Sequence, residues 1–369
     1  MSHPGPDPAR GSLDARVLAW IREGSFEPDE ARFDALALEL FAFQFGACAP
    51  YARFCAARGR TPANVGTWRE IPAVPAGAFK ELALRSFPVE RTLHTFRTSG
   101  TATARAGELH LDRLDLYEAS LLASFERFLL PDLAPGGRVR LRIFAPSPAE
   151  APDSSLSHMF GRILARWGDA ESGFDVAGGS LRAGALVGRL ERTAAPVALC
   201  GTAFAFVHLL DALEREGRRL RLPPGSRVME TGGFKGRSRE VSREELHAGI
   251  ETQLGVPRAR IVNQYGMTEL ASQFHDSVLR FPGEPRRKLG PPWTRVRCLD
   301  PETRQACPPG AVGRIAILDL ANTGSVLAVQ TADLGEPRGD GFEVLGREAG
   351  AEARGCSLAA DAMLERAAG

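Results

Sequence analysis

Apolar residues open the chain at helical spacing. Leu13, Val17, Leu18 and Ile21 fall on one face of a helix, and the aromatic-rich stretch 33–54 repeats apolar residues with the same period. Two prolines in Ile71-Pro-Ala-Val-Pro-Ala-Gly-Ala-Phe79-Lys80 break that pattern, so residues 1–95 read as a mostly helical portion. Between Arg138 and Val262 the texture becomes an alternation. Short apolar runs at 139–145, 174–177, 197–200, 228–229 and 261–262 are separated by helical patterns. This predicts βαβ units and a mainly parallel sheet, with the chemistry on loops at the strand C-termini. The helix with the clearest boundaries is Arg243–Leu254. Ser242 and Glu245 form a capping box, Leu246, Ile250 and Leu254 a stripe, and Gly255 then Pro257 a stop.

After Gly283, prolines, glycines and short β-like runs such as 314–318 and 326–330 predict a small, twisted β subdomain. No internal repeat or long linker divides the chain. The expected class is α/β, in one compact unit: a helical portion 1–95, an α/β core 96–283, and a β subdomain 284–369 ending in a cysteine-bearing helix.

Composition narrows the possible partners. With 369 residues, 44% of them hydrophobic, the chain has enough apolar material for a sizeable core. Lys and Arg (46) nearly cancel Asp and Glu (45), so the basic footprint of a nucleic-acid binder is missing. No run of eighteen apolar residues occurs, and the opening Met1-Ser-His-Pro-Gly-Pro-Asp-Pro8 has neither a basic nor an apolar signal region. A cytoplasmic protein without membrane insertion is expected. The cysteines, at 48, 55, 200, 298, 307 and 356, include no C-x-x-C pair and meet no histidine at metal-ligand spacing. They read as small buried hydrophobes, with Cys356 the exception.

Two segments carry the chemistry. Thr98-Ser99-Gly100-Thr101-Ala102-Thr103 is a turn whose amides and short hydroxyls could all point at one anion, such as a polyphosphate. Asn263-Gln264-Tyr265-Gly266-Met267-Thr268-Glu269 offers an aromatic face for a base, a glycine for close backbone approach, and a carboxylate able to hold Mg²⁺. In this order the two motifs resemble those of the adenylate-forming superfamily of acyl-CoA synthetases, peptide-synthetase adenylation domains and luciferases.

That resemblance implies roles for individual residues. Thr98, Ser99, Gly100, Thr101 and Thr103 would cradle the phosphates of ATP. Glu230-Thr-Gly232-Gly233-Phe-Lys235 stands where the superfamily has a glycine-containing loop that holds adenine. Tyr265 would stack on the base, with Gly266 and Thr268 beside it, and Glu269 would bind Mg²⁺. Thr331-Ala332-Asp333 occupies the place of the usual T-G-D, so Asp333 would take the ribose hydroxyls and Arg347 a further ribose or phosphate contact. The implied class is the large N-terminal-type α/β domain of the superfamily, with the 96–283 core binding nucleotide and acyl group.

Departures from the pattern matter as well. The phosphate loop reads Ala102-Thr-Ala-Arg105-Ala in place of T-G-x-P-K, so Arg105 either replaces the lysine or has no such role. Full enzymes of the superfamily continue past the G-R element for roughly a hundred residues, the size of a small domain carrying a catalytic lysine. Here the sequence reaches Gly369 soon after Arg347. Lys235 or Arg347 would have to stand in for that lysine.

The tail Gly346-Arg-Glu-Ala-Gly-Ala-Glu-Ala-Arg354-Gly355-Cys356-Ser357-Leu358 is similar to the LuxE type of acyl-protein synthetase. Such enzymes activate a fatty acid with ATP and move the acyl group onto their own C-terminal cysteine, by position Cys356. Elementary chemistry agrees: Ser357 can cap a helix running to Arg366, and a helix N-terminus with Arg354 nearby favours thiolate over thiol. The expectation is acid activation with MgATP followed by thioester formation on Cys356. A carboxylic, by resemblance fatty, acid is the substrate, Phe204 and Phe206 border its slot, and an acyl reductase or carrier protein is the partner. Two other readings stay open: loading of an external thiol, and nucleotide or acyl binding without catalysis.

Overall fold

The computed structural model describes residues 7–98, 106–232 and 241–348. Helix Pro8–Arg22 starts where Asp7 accepts the Ala9 amide at 2.9 Å, with proline at its first position, and buries Leu13, Val17, Leu18 and Ile21. Helix Glu30–Ala47 is capped in the same way by Asp29 and buries Phe33, Leu36, Leu40 and Phe41. Helix Ala49–Ala56 follows, with Tyr51 and Cys55 inward. The periodic stripe of the opening residues is therefore a packing face, as its spacing predicts.

Among the described residues most strands form one large sheet, beside two separate two-stranded sheets, His94–Arg97 with Glu108–Leu111 and Val176–Ala177 with Ser180–Leu181. Its order is Thr294–Leu299, Gly313–Asp319, Ala328–Arg338, Gly341–Arg347, Lys288–Leu289, Phe274–Asp276, Ile261–Tyr265, Arg227–Thr231, Val197–Thr202, Arg140–Phe144 and Gly173–Phe174. From Ile261–Tyr265 to Gly173–Phe174 all neighbours run parallel; on the other side all run antiparallel. The parallel half follows from its connections, because helices Ser155–Trp167, Ala203–Arg215 and Arg243–Leu254 return the chain to the same end of the sheet. Every residue of Val197–Thr202 and Arg227–Thr231 is buried. A strand covered on both faces reads as a continuous apolar run, which is why these segments showed no alternation.

The α/β class and the five expected strand sites are those of the structure. Helix Arg243–Leu254 has its capping box, with Gly255 left-handed at φ 70° beyond it. The strands expected after Gly283 are present and continue the main sheet by hydrogen bonds. One boundary shifts. The run 326–330 enters its strand only at Ala328, because the Leu327 amide is taken at 2.8 Å by the Gln44 side chain.

Two apolar cores cover the sheet. One joins the opening helices and helix Asp115–Leu129 to the antiparallel half; the other packs Phe144, Leu199, Phe206, Val228, Ile250 and Leu254 on the opposite face. Segment Val74–Pro75 adds parallel to Ala328–Arg338, so the helical portion is also tied to the sheet through its backbone.

Candidate active site

The parallel strands end in register. Gly201 lies beside Phe144, Thr202 beside Thr231, and Thr231 beside Gln264. The residues that follow, Gly232 and Gly266, thus emerge at one sheet edge, where α/β proteins bind ligands. Gly232 holds φ 91°, a conformation a side chain would strain. A Cβ at Gly266 would stand 2.6 Å from Nε2 of Gln264.

Three residues expected to face the nucleoside are joined. The Tyr265 hydroxyl donates to Oδ2 of Asp333 at 2.8 Å, and Arg347 Nε donates to Oδ1 of the same carboxylate at 2.8 Å. Asp333 and Arg347 are direct partners across an antiparallel pair. Burial first, and then the Asp333 carboxylate, push the Tyr265 phenol well above its ordinary range, so it remains a donor. Its ring is half-buried and rests edge-on against Phe342, 6.0 Å between centroids.

Thr268 and Glu269 follow in a buried turn, 1% and 3% exposed, and Asn322 Nδ2 donates to the Glu269 carbonyl at 3.0 Å. Thr98 ends the strand His94–Arg97. Its amide donates to the Gly107 carbonyl at 2.9 Å, and its Oγ1 accepts the Gly107 amide at 2.7 Å. It therefore ties residue 98 to residue 107 by two hydrogen bonds, across the ends of the segment expected to bind phosphate. Ser99, Gly100, Thr101, Thr103, Gly233, Lys235 and Cys356 lie outside the described residues.

Among the described cysteines, Cys48, Cys55, Cys200 and Cys298 are buried and Cys307 is partly so, all unbridged. Burial pushes the thiols of Cys55, Cys200 and Cys298 up to about 12. None is a nucleophile at neutral pH. Phe204 and Phe206, expected beside the acyl slot, sit in helix Ala203–Arg215 and are 3% and 0% exposed, with the Phe206 ring 5.0 Å from that of Phe144. Both are packing residues of the second core.

Sequence reasoning missed the polar groups beneath the site. Asp276 accepts the Asn263 amide at 2.9 Å, and Lys288 Nζ donates to the Asn263 carbonyl at 3.1 Å and to Asp276. Burial acts to raise the Asp276 carboxyl, and Lys288 and Arg286 outweigh it, so it lies below the usual carboxylate range. Glu230 is held by His247 at 3.1 Å. Gln44 donates to the Asn322 and Thr323 carbonyls at 3.0 and 3.3 Å. Residues so far apart in sequence carried no local signal; the only clue was a polar residue inside an apolar run, as at Asp319.

The donor set suits a magnesium nucleotide. Tyr265 offers a ring face, Asp333 acceptor oxygens for hydroxyl donors, Arg347 a guanidinium for phosphate, and Glu269 a hard oxygen ligand. The missing Cβ at Gly266 is what admits the Gln264 side-chain amide beside it.

Residues 187–365 match the family described as acyl-protein synthetase, LuxE. The long-chain-fatty-acid–luciferin-component ligase of Aliivibrio fischeri is 24% identical over 321 residues, covering 85% of this chain and 81% of that protein. Among solved structures, an open conformation of 2-hydroxyisobutyryl-CoA ligase in complex with 2-HIB-AMP and CoA aligns with TM-score 0.65 at 15% identity, over 94% of this chain and 80% of that one. The same ligase in its thioesterification state gives 0.61 at 15% identity, over 94% and 71%. Over residues 187–365 the chain is similar to the acyl-protein synthetase family, and its fold is that of 2-hydroxyisobutyryl-CoA ligase.

Proposed function

We propose that the protein is an acid–thiol ligase of the acyl-protein synthetase kind. It activates a carboxylic acid, by its relatives a fatty acid, with ATP and transfers the acyl group to its own Cys356. The observation that supports this most directly is the Tyr265, Asp333 and Arg347 cluster at the sheet edge where the glycines of two strand ends meet.

In the first step a carboxylate oxygen attacks the α-phosphorus of ATP. The bond to the bridging oxygen breaks and pyrophosphate leaves. In the second the Cys356 thiolate attacks the acyl carbon, the C–O bond breaks, and AMP departs with the electron pair. Asp333 would orient the ribose hydroxyls, Tyr265 the base, and the 98–103 turn the phosphates. Magnesium, held by Glu269, would neutralise phosphate charge. Arg347 or Lys235 would supply a cation at the phosphates. The thioester would pass to an acyl reductase or a carrier protein.

Intact-protein mass spectrometry after incubation with MgATP and a panel of fatty and aryl acids tests this. One added acyl mass, removable by hydroxylamine and absent in Cys356→Ser, is the expected result. Pyrophosphate release without an adduct would move the acceptor to an external thiol, and neither product with any acid would leave a binding protein.

A further inference from the structure

Behind the Tyr265 to Glu269 segment runs a buried chain of hydrogen bonds that ends on one carboxylate. Trp293 Nε1 donates to Ser120 Oγ at 2.9 Å, and Ser120 Oγ lies 2.8 Å from Ser272 Oγ. Ser272 Oγ in turn donates to Oδ1 of Asp319 at 2.8 Å. Trp293, Ser120 and Asp319 are 0% exposed and Ser272 is 1%. An indole N–H has only a proton to give and a carboxylate only lone pairs, so the two ends fix the direction of both hydroxyls between them.

Asp319 also accepts the amides of Ala271 at 2.9 Å, Ser272 at 2.8 Å and Ala321 at 3.1 Å. Two of its four donors thus come from the backbone immediately after Glu269. The next turn supplies Asn322, whose amide donates to the Glu269 carbonyl and, at 3.0 Å, to the Val326 carbonyl. Burying a carboxylate this deeply is costly unless it is fully bonded. Here three of the four bonds come from one short segment of the site.

Taking Glu269 as the Mg²⁺ ligand of the function proposed above, we infer that Asp319 is a positioning residue that, with Ser272 and Asn322, sets the place of the Glu269 carboxylate. It touches neither substrate nor metal. Its work is done through the 269–272 backbone, and its loss is felt as a misplaced metal ligand, where displacement by about 1 Å costs on the order of 100-fold in rate.

The test compares wild type, Asp319→Asn and Ser272→Ala, each as the full chain. In acid-dependent ATP–pyrophosphate exchange, Asp319→Asn should lower kcat by about 10- to 100-fold. KM for ATP should stay within about twofold, and the Mg²⁺ concentration for half-maximal rate should rise, since nucleoside contacts lie elsewhere. Ser272→Ala, which removes one donor of four, should show the same pattern at about threefold to tenfold; it carries the test if Asp319→Asn fails to fold. Unchanged kcat and Mg²⁺ midpoint in a folded variant overturn the role, as does a rise in KM alone. If the wild type exchanges with no acid, the proposed function fails, and hydrogen exchange of the 267–272 peptide decides the inference separately. Loss of protection by about tenfold or more, with helix Arg243–Leu254 unchanged, supports it; unchanged protection overturns it.

Discussion

The phenol of Tyr265 is bonded to the carboxylate of Asp333 at 2.8 Å across 68 positions of sequence, and the other oxygen of that carboxylate is occupied by Arg347. The two groups proposed to face base and ribose therefore form one unit. Tyr265→Phe should cost about 1 kcal/mol of folding stability, the net worth of one hydrogen bond, and leave ATP affinity within a few-fold. Asp333→Ala removes the acceptor of two donors and should raise the Kd for ATP at least about tenfold. Denaturant unfolding and calorimetric titration with ATP read the two effects; an unaltered affinity in Asp333→Ala would rule out a ribose role.

Gly290 supports the same aromatic group from beneath. A Cβ there would lie 2.4 Å from the Phe274 ring and 2.7 Å from Thr294 Oγ1, and the Phe274 ring packs 5.4 Å from Phe342 and 6.3 Å from Tyr265. Gly290→Ala should destabilise the protein by about 1–3 kcal/mol through overpacking and weaken ATP binding as Tyr265 is displaced. Wild-type melting behaviour would show that the ring can move aside freely.

His275 is fully buried, and burial, with a smaller push from Lys288, lowers its imidazole to about 3. Its ring lies 5.7 Å from that of Phe128. Below pH 6.5 the unfolded chain protonates this histidine while the folded chain does not, so stability is lost as pH falls from 6.5 toward 3, at about 1.4 kcal/mol per unit. Asp319, raised to about 6 by burial, acts oppositely: the folded state keeps its proton longer, adding stability as pH falls from about 6 to 4. The quantity to measure is therefore the difference in unfolding free energy between wild type and His275→Gln. It should decline by about 2 kcal/mol from neutral pH to about pH 5; a flat difference would mean that His275 protonates in the native state.

Glu269 and Cys356 should separate the two half-reactions. Glu269→Gln is expected to abolish ATP–pyrophosphate exchange, whereas Cys356→Ser should leave exchange intact and remove the hydroxylamine-labile adduct. Alkylation of the native chain near pH 7 should spare Cys55, Cys200 and Cys298, whose thiols burial holds at about 12. Persistent acyl labelling in Cys356→Ser would place the thioester elsewhere.

Much of this architecture was legible because its signals are local. The stripe of Leu13, Val17, Leu18 and Ile21, the capping box of Ser242 and Glu245, and the apolar strand runs each reflect a short-range period or a contact within one turn. Motif order named the candidate nucleotide residues, and of these Tyr265 and Arg347 both bond to Asp333. Around Phe204 and Phe206, a run of small and aromatic residues after a strand suits a helix packed on a sheet as well as it suits a pocket, and both side chains are buried in the second core, with Phe206 against Phe144.

The sequence by itself determined which segments are helices and strands, where the chemical groups lie along the chain, and that the core is α/β. Those properties depend on side-chain periodicity and turn chemistry within a few residues. Tertiary structure alone decided that the late strands extend the parallel sheet. It also brought Gln44 to the 322–327 loop and buried Asp319 behind Glu269 at the end of the chain from Trp293. These contacts join residues far apart in sequence, and their donors and acceptors find each other only when packing removes water and leaves each buried polar group a single partner to satisfy.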